Sequence, residues 1–460
     1  MNAVSAELGV VRVVVLNFNG DPHLFRCLDA LAATDWPSDR LQVVVVDNNS
    51  ADGSAEVVAA RYPNVELRRL GTNTGFPANN AALRDLGGVD FVALINNDAF
   101  VTPGWLKPLV DTLVAEPDLA AACPKLLFAP RFVELAIRSS TFSVPNDSRQ
   151  LGVRISGVEV DGVDCWRPAQ FPPPGFWGIE RGRAPEERFC WTNGDARLRV
   201  PTESAPAQPA AEGSVSAAVR VRLATNQTTV VTIGEGEHQR RIEVGPQPGW
   251  FDVTVEGHPF DVVQNAGSMV LEGGYGADRG FLEIDEGQWD QPEEVFAWCG
   301  GGVLFRPAYL ADVGLFDERF FAYYEDTDLA WRGRARGWRY RYVPASVLRH
   351  QHATTSVEGS ALFQRYVERN RLAMLTKNAA PPMVLGALFH YVLTTLSYAR
   401  RDLWGPLRRR RRPVVGVVAL RLRSLGSYGQ MLPHLLTQRR RQRRQATVSD
   451  AALAAWFQRR

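Results

Sequence analysis

Cysteine is scarce: five residues in 460 (Cys27, Cys123, Cys165, Cys190 and Cys299), an odd number without Cys-x-x-Cys spacing. That argues against a disulfide scaffold and a thiolate zinc site, and predicts a reducing cytosol. No glycine-rich GxGxxG turn follows the first apolar run, where the chain reads Asn17-Phe18-Asn19-Gly20-Asp21-Pro22, so a nicotinamide or flavin enzyme is not expected. The same loop lacks the basic residues and phosphate-cradling glycines of a nucleotidyltransferase. No basic segment precedes Val10–Leu16, and Arg12 interrupts that run, so no secretory leader is expected. Lysine is missing from residues 383–460, yet this tail carries 16 Arg against two Asp, a charge of +14 that leaves −12 for residues 1–382.

With 45% hydrophobic, 22% charged and 10% aromatic residues, the chain falls in the globular range. Its length suggests about three units at roughly 150 residues each. Over the first 125 residues β-branched runs alternate with stretches whose apolar residues recur at three and four. Strands are predicted at Val10–Leu16, Leu41–Val46, Val65–Leu70 and Phe91–Ile95, and helices near His23–Ala33, Ser54–Tyr62, Pro77–Leu86 and Trp105–Glu116. Such continuous Val/Ile/Leu runs are buried on both faces, as in a parallel sheet covered by helices, and ligands bind beyond the carboxyl ends of its strands.

From about Arg131 the texture changes to short alternating stretches (Gly152–Val158, Ala196–Val200, Val215–Leu223, Thr228–Ile233, Trp250–Val255) separated by Gly, Pro, Asp and Asn. This predicts an all-β, sandwich-like insertion over 131–262, with Pro201–Gly213 as a mobile loop. Mixed texture returns over 263–382, and 383–460 reads as a helical, Arg-rich region. Met383–Tyr398 is a 16-residue run without formal charge, short of the roughly 20 residues of a membrane span. Followed by Arg400, Arg401 and the five arginines at 408–412, it reads as an interfacial helix on an anionic membrane surface, with a packed core helix as the alternative. Nucleic acid is not expected as a partner, because stacking aromatics do not alternate with the basic residues.

The strand ends carry the candidate chemistry. Asp47 can accept from a pyrimidine N–H or a ribose hydroxyl, or can simply cap its loop with Asn48. Asp98, delivered by the strand ending Asn96-Asn97-Asp98, suits a hard divalent cation that bridges to phosphate.

A set of ordered motifs extends this reading. They are Val14-Val15-Leu16-Asn17-Phe18-Asn19-Gly20, Val45-Val46-Asp47-Asn48-Asn49-Ser50 with Asp52-Gly53-Ser54, and Asn73-Thr74-Gly75-Phe76 with Asn79-Asn80. Leu94-Ile95-Asn96-Asn97-Asp98 follows, then Gly314-Leu315-Phe316-Asp317-Glu318 and Phe321-Ala322-Tyr323-Tyr324-Glu325-Asp326-Thr327-Asp328-Leu329. Over residues 8–130 and 265–378 the chain thereby resembles the family 2 glycosyltransferases, in the rhamnosyltransferase-like and galactofuranosyltransferase-like branch that builds bacterial surface polysaccharides.

The resemblance implies an α/β glycosyltransferase A-type fold with a Rossmann-like mixed sheet. It implies a nucleotide-sugar half over 1–130 and a catalytic and acceptor half over 263–382. It implies inverting, metal-dependent transfer from a nucleoside diphosphate sugar, of dTDP-rhamnose or UDP-sugar type, to a lipid-linked or growing glycan. The enzyme would work in the cytoplasm, peripherally on the inner face of the cell membrane. Asn17, Asn19, Asp47, Asn73, Gly75, Asn79, Asn96 and Asn97 would line the donor pocket, flanked by Asp278-Arg279-Gly280. Asn96 stands where the family's Asp-x-Asp motif has its first acid, leaving Asp98 to hold Mn²⁺ or Mg²⁺ with His350, for which His352 competes. An acceptor hydroxyl needs a carboxylate base at neutral pH; Asp326 takes that role by resemblance, with Glu325 positioning the acceptor or base. Trp298, before Gly300-Gly301-Gly302, would stack on the acceptor sugar or be a buried indole beside a glycine bend. Asp328 would sit near the acceptor or cap the helix that follows, and the acidic cluster as a whole could instead pair with Arg332, Arg334 and Arg336. The alternative to an enzyme is a non-catalytic carbohydrate-binding scaffold, against which Asp98, Asp326 and His350 together argue.

Overall fold

The structure, a computed structural model, describes residues 9–145, 147–166, 170–172, 174–181, 188–202, 213–351, 360–410 and 412–459. It divides into two compact units. The first comprises Met1–Leu126, Gln264–Phe281 and Gly287–Arg460, and the second Leu127–Val263 with Leu282–Glu286.

The first unit is built on a mixed sheet. From one edge its strands run Val65–Arg69, Leu41–Asp47, Val11–Asn17, Phe91–Asn96, Gly302–Phe305, Leu119–Phe128, Arg339–His350 and Glu293–Glu294. The first four are parallel, whereas Gly302–Phe305 runs antiparallel to Phe91–Asn96. Every residue of Val11–Val15 and Phe91–Ile95 is buried, as expected for strands covered on both faces. The helix His23–Ala32 buries Leu24, Cys27, Leu28 and Leu31, an i, i+3, i+4, i+7 stripe.

The helix expected over Pro77–Leu86 is shorter. Phe76–Asn79 forms a 3₁₀ turn and Asn80–Leu83 a single α turn. Asn79 Nδ2 donates to the Phe76 carbonyl (2.9 Å), and the Asn80 amide brackets Phe316, donating to its carbonyl (2.9 Å) and accepting from its N–H (3.1 Å). Asparagine side chains offer the backbone an alternative to a continuing helix.

Three long helices close this unit: Ala361–Asn378, Pro381–Ala399 and Gly416–Gln445. The last lies along the first of them. Arg439 Nη1 donates to the carbonyls of Thr376 (2.9 Å) and Ala379 (2.8 Å), and Arg443 Nη2 to that of Ala379 (2.9 Å). These guanidiniums answer the orphan carbonyls of a helix C-terminus. Residues 383–460 thus group with the first unit instead of standing as a separate region.

The second unit is a β-sandwich. One sheet includes Arg188–Trp191, Arg154–Val160, Val215–Ala224 and Gly249–Gly257; the other is Asp195–Pro201, Phe132–Arg138, Thr229–Ile233 and Arg240–Val244. Val215–Ala224 buries every second residue, and Ala217, Val219, Val221 and Leu223 meet Leu135, Ile137, Leu198, Val231 and Ile233 in one core. Residues 203–212, most of the loop expected to be mobile, lie outside the described residues. All five cysteines are free.

Candidate functional site

Register brings together the residues expected on the donor side. Asn17 and Asp47 are partners at the ends of adjacent parallel strands, and Asn17 Nδ2 donates to Asp47 Oδ1 (3.0 Å), Ser50 Oγ (3.1 Å) and Ser54 Oγ (2.8 Å). Asp47 Oδ2 accepts from the Ser50 N–H (3.3 Å), so Asp47 caps its loop while each oxygen keeps a second lone pair. Asn48 holds the next loop, donating to Asn73 Oδ1 (2.8 Å) and the Gly75 carbonyl (3.1 Å). Asn97 Nδ2 donates to Asn17 Oδ1 (3.3 Å), and Asn19 Oδ1 accepts from the Ala51 N–H (2.8 Å). A Cβ at Gly20 would lie 2.4 Å from both the Asn17 and Asn97 amides, so a larger residue there would displace these two side chains.

Asp98 and His350 meet although 252 residues separate them. His350 pairs with Ala99 across an antiparallel register, and its Nε2 lies 2.9 Å from Asp98 Oδ1 and 3.2 Å from Asn96 Nδ2. On the other ring edge, Nδ1 lies 2.9 Å from Gln264 Oε1. With the ring proton on Nδ1 facing that amide oxygen, Nε2 turns its lone pair toward a carboxylate, a juxtaposition that a cation or proton between them relieves. Imidazole plus carboxylate suits Mn²⁺ better than an all-oxygen shell would. No group of three or more His, Cys, Asp or Glu is placed to hold a metal ion among the described residues, so a cation here would need phosphate oxygens or water for its other positions. His352 lies outside the described residues.

The acidic segment approaches through a strained turn. Phe321 (φ 66°), Tyr323 (φ 70°) and Tyr324 (φ 67°) are left-handed, a conformation that bulky residues hold only where the surroundings enforce it. Asn370, fully buried, enforces it: its Nδ2 donates to the carbonyls of Phe320 (2.8 Å), Ala322 (2.7 Å) and Tyr323 (2.8 Å). Arg369 Nη2 adds bonds to the carbonyls of Arg319 (2.9 Å) and Phe320 (2.8 Å). The turn docks on the donor side, where the Phe76 N–H donates to the Phe321 carbonyl (2.7 Å) and a Cβ at Gly75 would sit 1.9 Å from that oxygen.

Asp326 is half-buried at the start of the helix Glu325–Ala335. Its Oδ1 accepts from the Thr327 N–H (2.6 Å) and Thr327 Oγ1 (3.1 Å), and its Oδ2 from the Gly300 N–H (3.4 Å). Burial raises its pKa against the pull of those bonds. Glu325 is buried with Oε2 lacking a hydrogen-bond partner; burial, then the neighbouring Asp326, push its pKa well above the carboxylate range.

Two expected acceptor residues are corrected. Trp298 is fully buried, its ring edge-on to Phe305 and Phe316, so it has no face to offer a sugar and is the buried indole of the second reading. Asp328 is fully buried too. It accepts from Arg332 Nε (3.0 Å), Lys377 Nζ (2.8 Å) and Asn378 Nδ2 (2.8 Å), so it neither meets an acceptor nor caps the helix. Of the three arginines offered as partners for the acidic cluster, only Arg332 takes that role; Arg334 pairs with Glu294 and Arg336 with Asp312. Asp278 is held by Asn265 Nδ2 (2.6 Å) and Ser268 Oγ (3.3 Å).

The family model described as "Glycosyl transferase family 2" matches residues 12–146, and that described as "Glycosyl transferase family group 2" matches 257–441. An N-acetylglucosaminyl-diphospho-decaprenol L-rhamnosyltransferase of Mycobacterium tuberculosis is 33% identical over 360 residues, covering 75% of this chain and 78% of that protein. The chain belongs to glycosyl transferase family 2. The mixed sheet is accordingly an α/β fold of glycosyltransferase A type, and this family 2 enzyme transfers a sugar. A poly(ribitol-phosphate) beta-N-acetylglucosaminyltransferase of Staphylococcus aureus is 32% identical over 100 residues, 21% of this chain and 17% of that protein. Among solved structures, that enzyme's residues 1–349 with UDP-GlcNAc match with TM-score 0.23 and 28% identity, covering 25% of this chain and 34% of that one. GalNAc-T7 with UDP, GalNAc and Mn²⁺ matches with TM-score 0.46 and 10% identity over 94% of this chain and 58% of that one.

Sequence reasoning about this glycosyltransferase missed Arg369, Asn370 and Gln264. The first two stand as an Arg-Asn pair in an otherwise ordinary helix; only a polar pair on a fully buried turn could have flagged them, and burial was not visible.

Proposed function

We propose that this enzyme is an inverting, metal-dependent transferase that moves a sugar from a nucleoside diphosphate donor, of dTDP-rhamnose or UDP-sugar type, to a hydroxyl of a lipid-linked or growing surface glycan. The observation that carries the proposal is the contrast between two carboxylates on one helical turn. Asp328 is matched by two cations, whereas Asp326 accepts only from N–H and O–H groups among the described residues, with its proton affinity raised. A general base works best when its pKa approaches the operating pH. In this reading Asp326 takes the proton of the acceptor hydroxyl as the oxygen attacks the anomeric carbon, and the diphosphate departs from the opposite side.

Glu325, held neutral by burial, positions the acceptor or the base without adding charge beside Asp326. Asn17, Asn19, Asp47, Asn73, Gly75, Asn79, Asn96 and Asn97 form the donor side, the spare lone pairs of Asp47 suiting base or ribose donors. Asp98 and His350 would hold Mn²⁺ or Mg²⁺, which when bound neutralises the departing diphosphate. Gln264 would keep the His350 proton on Nδ1 so that Nε2 faces the ion.

The acceptor class draws support from the mycobacterial relative, whose name specifies a diphospho-decaprenol-linked substrate. It also draws on Pro381–Arg408, a helical stretch of 28 residues, long and apolar enough to cross a membrane by length and composition, with 22% of its most apolar window buried. That exposure disfavours the core-helix reading and fits attachment to a membrane. The test is a transfer assay with nucleoside diphosphate sugars. Chelation should abolish turnover and Mn²⁺ or Mg²⁺ restore it, and His350→Ala should demand more metal for half-maximal rate. Full turnover in excess chelator would refute metal dependence, and no transfer from any such donor would refute the substrate class.

A further inference from the structure

The two basic clusters of the C-terminal region have different surroundings. In the second, Arg439 and Arg443 are spent on helix carbonyls, and Arg443 also pairs with Asp450. In the first, Arg401 pairs with Asp402, while Arg400, Arg408, Arg409, Arg410 and Arg412 meet no acidic side chain among the described residues. Four of these guanidinium-bearing residues, Arg400, Arg401, Arg408 and Arg409, line one cleft of about 870 Å³ together with Ser397 and Trp404. Of these four, only Arg401 has an acidic partner among the described residues.

The cleft exists because the helix changes pitch. Pro381–Ala399 continues into a π-helical turn over Arg400–Trp404 and a short helix over Gly405–Arg408. The wider turn re-aims side chains, a feature common at functional positions. Immediately before it, every fourth residue (Ala387, Tyr391, Thr395, Ala399) faces inward, and the Tyr391 hydroxyl donates to the Arg421 carbonyl (2.9 Å). The outward face carries Leu385 and Phe389, each 66% exposed, with Leu393 and Leu396 following at helical spacing. Trp404 and Leu407 are also exposed. One edge is thus apolar, an indole stands at the boundary where amphipathic rings settle, and unmatched guanidiniums lie just beyond.

We infer that this cleft is a headgroup site: it takes the phosphate of an anionic phospholipid while the face Leu385–Leu396 lies in the bilayer interface. The inference rests on the membrane attachment proposed above and locates it. Guanidinium forks bind phosphate oxygens bidentately, and an aliphatic and aromatic strip beside them takes the acyl region, so the surface fits a lipid in a bilayer better than a free anion. The arginines at 439 and 443 have no part in it, being held by the protein.

The experiment uses the full chain and vesicles of phosphatidylcholine with or without phosphatidylglycerol. Wild type should bind the anionic vesicles and dissociate as salt rises. Replacing Arg400, Arg401, Arg408 and Arg409 together by Gln should weaken that binding at least about tenfold, with an unchanged thermal midpoint because these side chains are exposed. The control R440Q, R441Q, R444Q and R459Q removes the same charge from exposed positions outside the cleft, and should change binding by less than about threefold. Equal losses in the two variants would overturn the cleft and leave only diffuse basicity. Wild type that ignores both kinds of vesicle would instead overturn membrane attachment itself. Release from anionic vesicles by inorganic phosphate, beyond what chloride of equal ionic strength achieves, would overturn the lipid headgroup in favour of a soluble anion.

Discussion

In the β-sandwich unit most charged residues stand outside and several answer one another, with Arg199 the buried exception. Arg197 bridges Glu134 and Glu235, Arg220 bridges Glu159 and Asp252, and the interior between the sheets is almost wholly aliphatic and aromatic. In the transferase unit polarity is carried inward. Asn17, Asp47, Asn48, Asn79, Asn80, Asp98 and His350 are buried at strand ends and in the adjoining loops, and Glu325 beneath the strained turn has no partner for one oxygen. Buried polar groups are costly unless satisfied. The sandwich bears that cost at scattered positions such as Gln170, Thr192 and Arg199, whereas the transferase unit gathers it at one sheet edge, and that concentration marks the candidate chemistry.

The contrast can be broken at several points. Asp326→Asn keeps the shape and removes the proton acceptor, so kcat should fall by roughly 10²–10⁴ while donor affinity, measured by calorimetry, stays the same. Two residues on, Asp328→Asn should act on stability instead. It leaves Arg332 buried without its carboxylate and Lys377 with Asp317 alone, and urea unfolding should register a loss of about 3–5 kcal/mol. Asn370→Ala should cost about 1–3 kcal/mol by orphaning carbonyls of the left-handed turn, with kcat falling more than KM rises because the turn carries Glu325 and Asp326.

Glu325→Gln sharpens the comparison through pH. The folded carboxyl holds its proton above the ordinary pKa of about 4.3 of an unfolded glutamate. Its stabilising contribution is therefore complete below that value and is lost as pH rises toward the folded pKa. The Gln variant should be the more stable protein at neutral pH, with the difference closing below about pH 4 in unfolding titrations. Asp317 gives the opposite sign. Although burial works the other way, Lys377 and His434 hold its pKa low, so its contribution is present at neutral pH and lost on acidification. The smallest effect belongs to the sandwich: Arg197→Ala should shift stability by no more than about 0.5 kcal/mol and leave turnover unchanged.

Periodicity made the sheet legible. The predicted run Val10–Leu16 is the strand Val11–Asn17, and Leu41–Val46 is Leu41–Asp47, because runs dominated by β-branched residues favour a buried strand. Proximity was not legible. Asp98 and His350 approach only because an antiparallel strand from far along the chain pairs beside Ala99, which no local pattern encodes. Trp298 and Asp328 were given to the acceptor because residue type shows what a side chain can do, whereas burial decides whether it is offered. The Arg-rich tail looked uniform for the same reason, and only the carbonyls of Thr376 and Ala379 show that Arg439 and Arg443 have structural work.

The proposed reaction is a single displacement in which Asp326 activates the acceptor oxygen on the face opposite the leaving diphosphate. The anomeric configuration of the transferred sugar in the glycoside product, read by proton NMR, tests this most directly. Inversion relative to the donor sugar is the predicted result; retention would contradict it, because a single displacement from the face opposite the diphosphate can only invert.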